Sequence, residues 1–472
     1  MSSSNLPLTS PGFTDAAVYG FSPDASGLNN AHALQRALDT GGTVVVSRPG
    51  TYQLAATVYI GSHTSLVCGN NVFFQKVDEA GPFCHVLLNK GALTRTYDHN
   101  ITVEGLHLLV NGVDHHHNEV YGLRGQLSFF YVKDLCLKRF RCLDLGSHQF
   151  CLQICTFEDV LIDDVIIKGD KDGVHFGRGK RFAVRNGVFD TYDDAIALNA
   201  QDYSVSNPEL GWIEGGIIEN CHDLYEGKPG TGFFCRFLAG AWLDWYEGME
   251  VRRSDTIAHE GRLYRVQTEP NGTRYRSLTP PTHGSGQQEI DGITWGWVQP
   301  DVIHTAGVRN VVFRDIFLHK PRIAFAMLFD DDRFNRSYYP GAPLVPQGQL
   351  TLENVHVLYE NPVPLVLINC PVDAVTLSQA KLRNNSIQFH QRDLKNPGTT
   401  CINMTGCTFA AETLPLLTNE MPDKRIILKT TGSMALHEGF VASVEAGPGS
   451  IRVESDLPGL NTDGYSAYLE AI

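Results

Sequence analysis

Hydrophobic and polar residues alternate along short stretches of this chain, and the stretches recur. ITVEGLHLLVNG (101–112), FEDVLIDDVIIKG (157–169), FAVRNGVFDTYDD (182–194), VRNVVFRDIFL (308–318) and LTLENVHVLY (350–359) are each rich in Val, Ile, Leu and Phe and are broken by Gly, Asn or Asp. Alternation of period two predicts strands, and the Gly and Asn between them predict turns. The stretches at 157 and 182 start 25 residues apart. A unit of that length encloses no core of its own, so the units must stack. Helical periodicity is scarce. The pattern predicts an all-β fold, a right-handed parallel β-helix.

The ends read as caps. Asn30 to Thr40, NAHALQRALDT, predicts one amphipathic helix with Asn30 as N-cap and Ala31, Leu34 and Leu38 as its apolar stripe. GGTVVVSRPGTY (41–52) follows as a first strand and turn, and the last forty or so residues read as short closing strands. Between 237 and 300 the repeat breaks. That segment reads as an inserted small β module and holds Trp242, Trp245, Trp295 and Trp297, suited either to stacking on sugars or to a small core. The chain thus divides into β-helix (1–236), inserted module (237–300) and β-helix with end cap (301–472). YYPGAPLVPQG (338–348) reads as a loop.

Composition narrows the function classes. With 42% hydrophobic and 19% charged residues, the 472-residue chain is neither disordered nor collagen-like. No apolar run approaches the roughly 18 residues of a membrane-spanning helix. A net charge of -14 argues against nucleic acid and anionic membranes as partners. The 11 cysteines form no CxxC pair, and several, such as Cys151 and Cys155, sit in apolar stretches. That usage fits reduced thiols, and the N-terminus MSSSNLPLTS lacks a basic start and apolar core, so a cytoplasmic location is expected. A homo-oligomer is compatible with these features. GxSxG, P-loop and Rossmann patterns are absent, and nothing implies a cofactor or a metal.

The candidate chemistry lies in aspartates. Asp172-Gly-Val-His-Phe and Asp194-Ala-Ile-Ala-Leu both open with a carboxylate and continue as a strand, 22 residues apart, about one coil. Asp193 sits at the same corner. Any one of these could merely cap a turn. Three in register would repel one another, a cost that points to use. Carboxylates whose protonation is split in this way perform acid and base roles in glycoside cleavage.

On these residues the chain resembles glycoside hydrolase family 28, the polygalacturonases and rhamnogalacturonases of the pectin-lyase-like β-helix superfamily. Asp170-Lys171-Asp172 matches the last residue of the family's Asn-Thr-Asp, and Asp193-Asp194 matches its Asp-Asp. The N-terminal helix and GGTVVV…PGTY also resemble the family's N-terminal cap. The resemblance implies hydrolysis with inversion, Asp193 as general acid, Asp172 and Asp194 activating water, and no metal. In place of the family's Gly-His-Gly stands Gly230-Thr231-Gly232, and in place of Arg-Ile-Lys stands Arg322-Ile323-Ala324. These departures argue against polygalacturonate. Thr231, Arg236 on the same strand, and Arg322 remain candidates for binding an acidic or hydroxyl-rich sugar.

Other residues are candidate cleft walls. His148 and Gln149 fall about one coil before Asp172. His175 follows Asp172 by three, so strand alternation turns it to the opposite face. Asp331 and Arg333 belong to Asp330-Asp331-Asp332-Arg333, which reads as a cleft wall, a calcium site or a solvated turn. Asp114-His115-His116-His117 reads as a solvated loop, since neighbouring strand residues do not converge on a metal. The expected function is cleavage of an oligo- or polysaccharide by a glycosidase. The rivals are a polysaccharide lyase on the same fold and a glycan-binding tailspike or adhesin, suggested by PPTHGSG and DGITW in the inserted module.

Overall fold

The computed structural model describes residues 9–10, 12–115, 119–269, 272–390 and 398–461. The chain forms two compact units, Met1–Asp193 and Asp194–Ile472. In the first unit, parallel strands repeat in register and stack like residues into columns. Val44, Leu66, Val103, Leu137, Ile162 and Val184 form one buried column. Tyr52, Phe74, Leu108, Cys142, Ile167 and Phe189 form a second. Leu87, Leu127, Leu152 and Val174 form a third. Three inward-facing walls of parallel strands make this unit a parallel β-helix.

The bends between walls have their own chemistry. His63, Asn100, Asp134, Asp159 and Arg181 occupy the same corner on successive coils, all with φ between 54° and 60°. Asn and Asp tolerate this left-handed region better than other side-chain-bearing residues. Arg181 is held there by the Asp159 below it, with Nε 2.6 Å from Oδ1.

One helix, Gly27–Leu38, packs on strands Gly50–Leu54 and Val58–Ile60. It begins earlier than Asn30. Ser26 is the N-cap and accepts from Asn29 N at 3.4 Å, while Asn30 is buried and exchanges hydrogen bonds with Ser22 N and O at 3.0 and 2.9 Å. Both residues can cap; the fold uses the serine for the helix and the asparagine to pin the preceding turn. A Cβ on Gly27 would fall 2.7 Å from Val77 Cγ2, so the close seat of the first turn requires glycine.

The second unit repeats the scheme. Leu198, Phe237, Met327, Ile368 and Phe389 form one buried column. Ile218, Phe313, Leu352, Leu377 and Met404 form another. Parallel pairing continues to Leu460–Asn461. The segment between Gly240 and Ala306 leaves the solenoid and builds small sheets of its own, the largest ordered Leu243–Asp244, Thr256–His259, Arg262–Val266, Ile293–Gln299, Gln287–Ile290. Trp242 and Trp295 are buried in it, and Trp245 donates to Ser277 Oγ at 2.8 Å. The buried Arg265 ties it to the 202–207 loop, donating to Asp202 O and, at 2.9 Å, to Asn207 O; burial pushes its guanidinium down to about 10. Among the described residues no helix is long and apolar enough to cross a membrane, and all eleven cysteines are free thiols.

The columns carry the stability. Ile162→Ala should cost about 2–5 kcal/mol, the range for truncating a packed core aliphatic. Leu143→Ala, at a side chain 57% exposed, should stay within about 0.5 kcal/mol of the parent. Urea unfolding followed by circular dichroism measures both, and equal losses would show that the columns do not dominate.

Candidate active site

Strands Phe150–Gly169 and Gly179–Thr191 run parallel, and the chain between them turns before the short strand Val174–Phe176. Backbone bonds tie that turn to the coil before: Cys151 N donates to Asp172 O at 2.9 Å and Leu152 N to Gly173 O at 3.0 Å. The Asp172 side chain is thereby buried, only 4% exposed. Its Oδ2 lies 2.9 Å from His175 Nδ1. His175 is itself fully buried, and its ring stacks on Phe150 with centroids 4.1 Å and planes 11° apart. The expectation that His175 turns away from Asp172 fails because Asp172 lies on the turn, outside the strand, where alternation does not apply. Its burial makes His175 a support for Asp172.

Asp193 arrives one coil later. Tyr192 N donates to Gly169 O at 2.8 Å, and Thr191 Oγ1 donates to Asp193 O at 2.9 Å, which fixes the corner. Asp172 and Asp193 each offer a carboxylate oxygen within 4.8 Å of the other's. Such a pair could share a cation, and a cation from the chain is already present. Lys171 Nζ contacts Asp193 Oδ2 and lies 3.9 Å from Asp172 Oδ1. Phe150 underlies the group, with Lys171 Nζ 5.8 Å and Arg124 Cζ 4.9 Å from its ring centre.

Asp194 follows Asp193 in the chain and heads the second unit. It is 2% exposed, and its Oδ1 accepts from Phe233 N at 2.8 Å. Arg236, on strand Cys235–Leu238, contacts Asp330 Oδ2. Burial opposes its charge, but the carboxylates of Asp330, Asp194 and Asp202 outweigh burial and hold the guanidinium well above its ordinary range. Arg236 Nε is buried without a hydrogen-bond partner among the described residues. Thr231 is exposed.

Several sequence candidates are committed elsewhere. Arg322 is buried in a two-pronged pair with Asp223, Nε to Oδ2 at 3.0 Å and Nη2 to Oδ1 at 2.7 Å. Gln149 is fully buried; its Oε1 accepts from Lys76 Nζ at 2.8 Å and its Nε2 donates to Cys84 O at 2.8 Å. His148 is exposed, with its backbone N capped by Asp114 Oδ2 at 2.6 Å. Asp331 is exposed against Arg252, and Arg333 is exposed over the Phe334 ring at 4.3 Å. Asp332 Oδ1 accepts from Phe334 N and Asn335 N at 2.6 and 2.9 Å, the bonding of a turn. His115 is exposed; His116 and His117 lie outside the described residues. Sequence reasoning alone misses Lys171, Phe150 and Arg124 as site residues. Lys171 does carry a signal: it adjoins Asp172 and stands 22 positions before Asp193, one coil below it.

No family model matches the chain, and no curated protein does either. Solved structures match the chain at low identity. PfbA, a surface adhesin of Streptococcus pneumoniae, is 13% identical over 97% of this chain and 96% of its own, with a TM-score of 0.49. The family 28 exopolygalacturonase of Yersinia enterocolitica is 11% identical over 97% of this chain and 79% of its own, with a TM-score of 0.42. The N-terminal fragment of bacteriophage Phi29 gene product 12 is 9% identical over 93% of this chain and 82% of its own, with a TM-score of 0.47.

Two outcomes are expected of the buried charges. Removing the Arg322 side chain leaves Asp223 buried and unpaired, so Arg322→Ala should lose about 3–5 kcal/mol of stability. A lowered urea midpoint with unchanged substrate affinity is the expected result; a weakened affinity at unchanged stability would return Arg322 to the binding site. Burial pushes the Lys76 ammonium from 10.5 down to about 8. Between those values the unfolded chain holds a proton that the folded chain lacks, so stability rises with pH from about 8. Lys76→Met should flatten the rise between about pH 8 and 9, measured as the pH dependence of the urea midpoint.

Proposed function

We propose that this protein is a family 28-like glycoside hydrolase that cleaves a bond in an oligo- or polysaccharide with inversion, through Asp172, Asp193 and Asp194. The observation that carries the reading is the approach of the Asp172 and Asp193 carboxylates at one turn, each with its own positive or proton-bearing neighbour. Such an arrangement separates the two groups chemically. Asp172, held by a buried imidazole, is a fixed acceptor suited to orienting water. Asp193 is half-buried and meets the ammonium of Lys171. In this reading Asp193 is the general acid, and entering sugar displaces the Lys171 ammonium from it. Asp194, joined to Asp193 by a peptide bond, completes the water-activating pair.

A second reading has one observation behind it. Lys171 is a basic residue at the spot where a lyase needs a base to remove a proton beside a uronate carboxylate. Its pairing with Asp193 favours the ammonium form, which accepts no proton, and this weighs for hydrolysis.

Asp193→Asn should keep the fold and lose at least about 100-fold in kcat/KM, the scale of a lost general acid. Near-parental turnover would remove Asp193 from that role. The Asp172–Asp193 approach is shorter than the roughly 6.5–9.5 Å usual between acid and base of inverting pairs and nearer the roughly 5–5.5 Å of retaining ones, so inversion here rests on the family 28 resemblance. Proton NMR of the first anomer released therefore tests the mechanism directly: inversion is expected, and retention would overturn the role assignment.

A further inference from the structure

On the outer face of the second unit, one rung apart, stand two histidines that the aspartate chemistry does not use. His222 closes strand Ile213–Asp223 and pairs in register with Phe317; His319 follows the end of strand Val308–Leu318. Their ring centroids are 5.7 Å apart with planes 25° from parallel, and His222 Nδ1 lies 3.4 Å from His319 Nε2. We propose that His222 and His319 together bind a first-row transition-metal ion such as Zn2+.

Three observations support the pair as a site. First, the spacing fits. Two imidazole nitrogens on one tetrahedral zinc, each about 2.0–2.1 Å from the ion, stand roughly 3.3–3.4 Å apart. Binding requires the tautomers with both facing nitrogens unprotonated, any proton there moving to that ring's other nitrogen, and a turn of the rings that lets the two lone pairs converge on the ion. Second, the ligands are held in place before the ion arrives. The His222 ring stacks on Phe317 with centroids 4.6 Å and planes 11° apart, and Phe317 stacks in turn on His356 at 4.9 Å. His319 N donates to Asp223 O at 2.9 Å, which fixes its backbone. Third, both rings are half-buried, sheltered yet reachable by an ion.

Two imidazoles leave the remaining positions of a tetrahedral ion to water. The site is therefore open, as in zinc sites that accept a further ligand, and weaker than a closed four-ligand structural site. It lies on outward-facing positions of the solenoid and is independent of the proposed hydrolase reading.

The test is zinc titration calorimetry on a background in which His115, His116 and His117 are replaced by alanine, which removes the competing histidine run. One saturable zinc site is expected. His222→Ala and His319→Ala should each weaken it at least 10-fold, and His356→Ala should leave it in place. Visible absorption after Co2+ addition to the unsubstituted histidine pair supplies a second readout that needs no new variant: intense d–d bands of a tetrahedral site are expected. Absence of saturable zinc uptake, uptake that survives both replacements, or weak octahedral-type cobalt bands would overturn the proposal.

Discussion

The structure depends on the register between successive parallel strands. Each coil places its buried residue on the one below, so Val103, Leu137 and Ile162 become one column although they are far apart in sequence. A column excludes water only if every coil bends at the same place. The left-handed corner shared by Asn100, Asp134, Asp159 and Arg181 supplies that bend. The same register carries residues of one turn onto the next, which is how a carboxylate at 172 comes to face a carboxylate at 193.

Bringing acidic groups together at a corner would destabilise the coil if they met bare. Local partners solve this within a few residues. His175, three positions after Asp172, bonds its carboxylate, and Lys171, the residue before it, reaches Asp193. Asp194 accepts from a backbone N–H, and in the same unit it helps hold Arg236 charged. The chemistry proposed here grows out of these partners: an acceptor held rigidly by a buried ring, and a carboxylate whose ion pair can open.

The features legible in sequence are those set by short periods. Alternation marks the strands, and the 22- and 25-residue steps mark the coil. The features that escape depend on distant partners. Arg322 reads as a sugar ligand, but its partner Asp223 lies 99 positions away. Gln149 reads as a cleft residue, but the lysine it satisfies lies 73 positions away. The helix start is ambiguous in sequence because Ser26 and Asn30 are both capable caps, and only the packed turn at Ser22 decides between them. Of the four tryptophans in the inserted segment, Trp242 and Trp295 are core, which composition alone leaves open.

The most direct measurement is a panel of uronate-containing, rhamnose-containing and neutral oligosaccharides incubated with the purified protein. Each reaction is read for new reducing ends and for the ultraviolet absorbance of an unsaturated uronate. New reducing ends without that absorbance are the predicted result and would define the sugar class. Absorbance appearing with cleavage would contradict hydrolysis and make the protein a lyase, and a panel bound without cleavage would make it a glycan-binding protein.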